Sequence, residues 1–68
     1  MNFQEYMNYR ADENCDVGVI AFDIKEDECV PFDSSDRLIF FYVESILKDE
    51  LLLQNWMKLK SDYIQQVS

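Results

Sequence analysis

The sequence predicts a small single α+β domain, residues 1–68, in which a β-hairpin packs on a long or two-part C-terminal helix. Three observations predict it. Residues 17–24 form a β-branched and aromatic run, and residues 29–32 form a short return containing the only proline. Residues 34–67 contain neither Gly nor Pro and repeat apolar side chains every three or four positions. Sixty-eight residues make one domain at most, burying only roughly 60% of the unfolded surface.

The first element, residues 2–13, fits two structures. Phe3, Tyr6, Met7 and Arg10 recur at helical spacing, and Asn2 with Glu5 makes a capping box. Alternation of Phe3, Met7 and Tyr9 also fits a strand that would add to the hairpin as a third. The second element reads as a strand, with Ile20, Phe22 and Ile24 on one face. Lys25-Glu26-Asp27-Glu28 is the expected hairpin tip, and Pro31 confines the returning strand to an edge. Cys15 and Cys29 are expected as free thiols near strand ends, since residues 1–6 lack the basic flank and apolar run of an export signal. That places the chain in the cytoplasm.

The third element starts behind Asp33, Ser34 or Ser35 as cap, with Asp36 suited to the positive end of a helix dipole. Its apolar stripe runs through Ile39, Tyr42, Val43, Ile46, Leu53, Trp56, Met57, Tyr63, Ile64 and Val67, with a defect at Asp49 and Glu50. Either the helix breaks near residues 48–49, with Asp49 capping a second helix that folds back, or it runs unbroken for about 50 Å. Residues 38–43 are apolar almost all round a helix, and Leu51, Leu52 and Leu53 add a second patch. So much apolar surface exceeds what a short hairpin can cover. It predicts a homodimer or a docked partner, with Leu38, Phe40, Phe41, Leu52 and Trp56 at the interface.

Charge carries the most functional content. The net charge is −8, and residues 12–36 carry all of it, nine acids against Lys25 alone. Direct nucleic-acid binding is not expected on these grounds, because affinity there comes from Lys and Arg neutralising phosphates. No apolar run approaches the roughly 20 residues of a membrane span. Catalysis is not expected. There is no His, no glycine-rich phosphate loop and no G-x-S-x-G, and so short a chain has little room for a deep pocket.

Two short resemblances accompany this reading. Asp12, Asn14, Asp16 and Asp23 stand at positions 1, 3, 5 and 12 of a segment that resembles the calcium loops of EF-hand and dockerin modules. The resemblance implies a calcium site. Val17 stands where that pattern has its turn glycine, Gly18 comes one position late, and the alternative is a polar turn opening a strand. Asp33-Ser34-Ser35-Asp36-Arg37-Leu38 resembles the D-S-L motif of acyl carrier proteins. It implies a phosphopantetheine arm on Ser34 in a wholly helical fold, against the alternative of a serine cap. Neither metal nor cofactor is expected.

The acidic region is therefore expected to face a basic protein, with Asp12, Glu13 and Asp16 at one end and Asp23, Glu26, Asp27 and Glu28 at the hairpin tip. Such a surface can imitate the phosphate spacing of DNA, as small phage-type inhibitors do, with fast steered association that weakens in salt. The alternative is a dimeric helical adaptor, antitoxin-like or immunity-like, whose acids only solvate it.

Overall fold

Val17, Ile20, Ala21 and Ile24 are spaced i, i+3, i+4 and i+7, and in the computed structural model they are the buried side of a helix rather than part of a strand. The structure describes residues 1–67, with side chains to residue 66, so Val67 of the predicted stripe lies outside the described side chains. Four helices occur among the described residues: α1 (Phe3–Arg10), α2 (Asp16–Glu26), α3 (Asp36–Ile46) and α4 (Glu50–Val67). No strand occurs among them, so the α+β expectation is overturned and the fold is all-helical.

The hairpin fails for a physical reason. β-branched side chains lose only a few tenths of a kcal/mol in a helix, whereas burying one Val or Ile is worth about 1.5–3 kcal/mol. Helical spacing puts Val17, Ile20 and Ile24 into one core, where a strand would have turned Val17 away from the other two. Phe22, expected on one strand face with Ile20 and Ile24, is exposed while those two are buried. The expected hairpin tip is the last turn of α2 and the start of an irregular loop over residues 27–35. Pro31 lies in that loop, Val30 plugs the core, and Phe32 packs beside Phe3. Cys15 and Cys29 are exposed free thiols and border no strand.

The helix ends follow local chemistry. Asn2 Oδ1 accepts from the Glu5 amide at 2.8 Å, and Glu5 Oε1 accepts from the Asn2 amide at 2.9 Å, which settles the first segment as a helix. Of the two possibilities for the C-terminal stretch, the broken one holds. α3 ends at Ile46, and Asp49 Oδ1 accepts from the amides of Leu51 and Leu52 at 2.8 and 3.2 Å, capping α4. Ser35 is the N-cap of α3 without a side-chain capping bond. Gly18 is needed for close approach. A Cβ there would collide with the carbonyl of Glu13 in the turn between α1 and α2.

The core is largely aromatic. The Phe3 ring meets Phe40, Trp56 and Tyr63 edge-on at centroid distances of 5.5, 5.9 and 5.2 Å. Around this centre Met7, Ile39, Val43 and Leu59 are fully buried. Polar clasps close the periphery. Tyr63 donates to Asp36 at 2.8 Å, while Trp56 Nε1 and Lys60 Nζ both donate to Glu44 Oε2, at 3.1 and 2.8 Å. These pairs run α3 and α4 in opposite directions. Arg10 ties α1 to α4 and to the turn that follows α1, donating to Asp62 (3.1 Å) and pairing with Glu13 at 2.6 Å, and it also donates to Tyr6 within α1 (2.8 Å). Burial alone would lower its pKa, but these acceptors outweigh burial and raise it.

The Cα radius of gyration is 10.8 Å, against about 11 Å for a compact domain of this length. No helix among the described residues is long and apolar enough to cross a membrane.

Three outcomes follow from this packing. Phe3→Ala should cost about 3–5 kcal/mol in urea denaturation, most of what a domain of this size has. Gly18→Ala should lower stability by about 1–3 kcal/mol through overpacking. Were that carbonyl contact absent, alanine would instead add about 1 kcal/mol through helix propensity. Glu44 is held below the usual carboxylate range, chiefly by the Lys60 ammonium and further by Trp56, against an opposing effect of burial. A depressed carboxylate stabilises the fold above its unfolded pKa of about 4.3, and that contribution is lost as pH falls through the lower folded value. Lys60→Met should flatten this acid limb of the stability–pH curve.

Candidate functional site

The core consumes one stripe of α2, and the opposite stripe faces solvent. Asp16, Val19, Phe22, Asp23 and Glu26 fall on that outer stripe, and all five are exposed. The predicted acidic residues thus surround a helix rather than a hairpin. Asp12, Glu13 and Asp16 lie at its N-terminal end, and Asp23, Glu26, Asp27 and Glu28 at its C-terminal end. Asp16 and Asp23, the nearest members of the two groups, are seven residues and about 10 Å apart along the helix.

The two ends differ electrostatically. Carboxylates near the N-terminus of α2 suit the positive end of its dipole. Asp23, Glu26, Asp27 and Glu28 crowd the negative end, where each carboxylate costs about 0.3–1 kcal/mol at low salt. The one cation on hand, Lys25, sits 5.4 Å from the centre of the Phe22 ring and forms no ion pair with them. Some of the predicted acids are occupied within the fold. Glu13 pairs with Arg10, and Asp27 accepts from the Cys29 amide at 2.8 Å and more weakly from Tyr42 Oη at 3.4 Å. Asp12, Asp16, Asp23, Glu26 and Glu28 make no side-chain hydrogen bond or ion pair among the described residues.

Beside the C-terminal acids lies a cleft of about 90 Å³ between α2, α3 and α4. Ile20, Ile24, Val43, Ile46, Leu47 and Leu52 form its apolar lining, and Asp23 and Asp27, one helical turn apart, supply its carboxylates. An apolar slot with two anions suits a side chain that has an aliphatic stem and a cationic head. Val19 and Phe22, 57% and 47% exposed, extend the apolar surface along the helix. These two were missed as surface residues. Once residues 17, 20, 21 and 24 are taken as an inner stripe, positions 19, 22, 23 and 26 fall outside, so the signal lay in the helical period.

The five residues expected at a helical interface do not stay together. Trp56 is fully buried in the core and unavailable to any partner, which corrects its assignment. Phe40 is half-buried against Phe3 and Trp56. Leu38 and Phe41 remain exposed on α3 at 57% and 74%, lining a groove with Phe40, Arg37, Glu44 and Lys60. Leu52, 39% exposed, lines the separate cleft beside Asp23 and Asp27.

The calcium-loop resemblance does not survive the fold. α2 begins at Asp16, so Asp23 projects from a helix well away from the turn, and no three His, Cys, Asp or Glu side chains among the described residues converge to hold a metal. Ser34 is exposed in the loop ahead of α3, its amide donating to the Pro31 carbonyl at 2.9 Å. Compared with known proteins, the chain matches no family model, no curated protein sequence and no solved structure at a significant level.

Proposed function

We propose that this protein is a non-enzymatic binding module that sequesters a basic protein through the outer face of α2. The observation that carries this reading is the crowding of Asp23, Glu26, Asp27 and Glu28 at the negative end of the α2 dipole, with only Lys25 near them in sequence. Such an arrangement works against the fold, and local rules are broken in this way chiefly where function demands it. A cationic partner relieves the repulsion on binding. A Lys or Arg side chain from that partner fits the cleft beside Asp23 and Asp27, its stem against Ile24 and Leu52.

Val19 and Phe22 refine the partner. A surface imitating nucleic acid by charge alone has no use for exposed apolar side chains between its anions. The mixed stripe suits a basic protein whose binding surface also carries apolar residues. Association is steered by the net charge of −8 and weakens with salt.

The reading is tested on the double variant Asp23→Asn, Glu26→Gln. Its thermal stability should rise slightly, because two unfavourable charges leave the helix end. At the same time it should release, at much lower salt, the basic protein that the wild-type chain retains from a host lysate. Equal retention by both forms, or a partner indifferent to salt, would reduce the acids to a solvated face.

A further inference from the structure

We propose that the groove between α3 and α4 is the contact surface for a second copy of this chain. This inference rests on a different surface from the acidic face of α2 and stands independently of it.

The groove holds about 390 Å³ and is lined by Arg37, Leu38, Phe40, Phe41, Glu44 and Lys60. Phe41 is 74% exposed, the largest exposure among the big hydrophobic side chains. Met57 and Ile64, on the same side of α4 as Lys60, carry the apolar rim along that helix. A stable dimer buries roughly 800 Å² per partner, about a sixth of the 4627 Å² surface of this chain. The outer faces of two of the four helices can provide that.

Charge identifies the occupant. From residue 37 onward four acids balance four bases, so this face is neutral while the rest of the chain holds the net charge of −8. A strongly basic partner is drawn to the acidic segment rather than to this neutral face. The groove itself is self-complementary. Arg37 and Glu44 are seven residues apart and lie on one face of α3, with Phe41 between them. An antiparallel crossing of two α3 helices, centred on Phe40 and Phe41, sets Arg37 of each copy level with Glu44 of the other, as a twofold contact requires. Both groups have capacity for the bond. Glu44 receives Trp56 and Lys60 on Oε2 alone, leaving Oε1 without a partner among the described residues. The Arg37 guanidinium makes no ion pair among them.

Sedimentation equilibrium from micromolar to millimolar concentration tests the proposal, with circular dichroism to show that each variant keeps its helices. The wild type should dimerise. Phe41→Ala should raise the dissociation constant about 30-fold or more, as loss of a central aromatic anchor does. Arg37→Ala should raise it several-fold. Asp23→Asn with Glu26→Gln should not weaken it, which separates this result from the fate of the acidic-face reading. A wild-type chain that stays monomeric at millimolar concentration overturns the proposal. So does a dimer indifferent to Phe41→Ala.

Discussion

Phe3, the first residue of α1, anchors a helix that would not exist alone. α1 has eight residues, well short of the length at which an isolated helix is stable in water. Its capping box fixes where it starts, but its hold on the protein comes from Phe3, Tyr6 and Met7 pressed into the core. Phe3 touches rings from the 27–35 loop, α3 and α4 at once, so the first few residues of the chain join its last two helices. α2 is then held against α1 and α4 by Val17, Ile20, Ala21 and Ile24, with the Gly18 backbone close against the turn that follows α1. Removing the aromatic centre leaves only the smaller aliphatic contacts of Met7, Ile20, Ile24, Ile39, Val43 and Leu59 to hold the four helices together.

A core built this way uses one stripe of each helix, and the outer stripes divide by charge. The turn before α2, the outer side of α2 and the loop after it carry the anionic excess, next to exposed Val19 and Phe22. From residue 37 onward the chain is charge-balanced, and α3 and α4 present Leu38, Phe41, Met57 and Ile64. A chain this small has little interior to spare for a deep chamber, and its concavities include a narrow cleft and an open groove. What it offers a partner is therefore surface, of two contrasting kinds.

The β-hairpin expectation shows where pattern reading loses its grip. Residues 17–24 satisfy two periods at once. Ile20, Phe22 and Ile24 alternate, while Val17, Ile20, Ala21 and Ile24 follow the helical spacing. Propensity leaned to the strand because Val and Ile are β-branched, but that preference is small beside the burial that the helix provides. Pro31 was a fair signal of irregular backbone, and it sits in a loop rather than on a sheet edge. The surface position of the acids was legible residue by residue because charges stay on the surface in almost any fold. The crowding of Asp23, Glu26, Asp27 and Glu28 at one end of α2, beside a cleft that includes Ile46, Leu47 and Leu52 from distant positions, was not.

By itself the sequence determined the segregation of charge, and it offered the Asn2–Glu5 capping box and a helix break capped by Asp49 each as one of two alternatives. Each depends on composition or on residues within a few positions of one another. Tertiary structure alone decided which apolar side chains became core. Trp56 and Phe41 both lie in apolar stretches of helical residues, yet one is fully buried and the other is the most exposed aromatic ring of α3. The difference is which side of its helix faces Phe3, and that depends on contacts between residues some fifty positions apart, which no local pattern encodes.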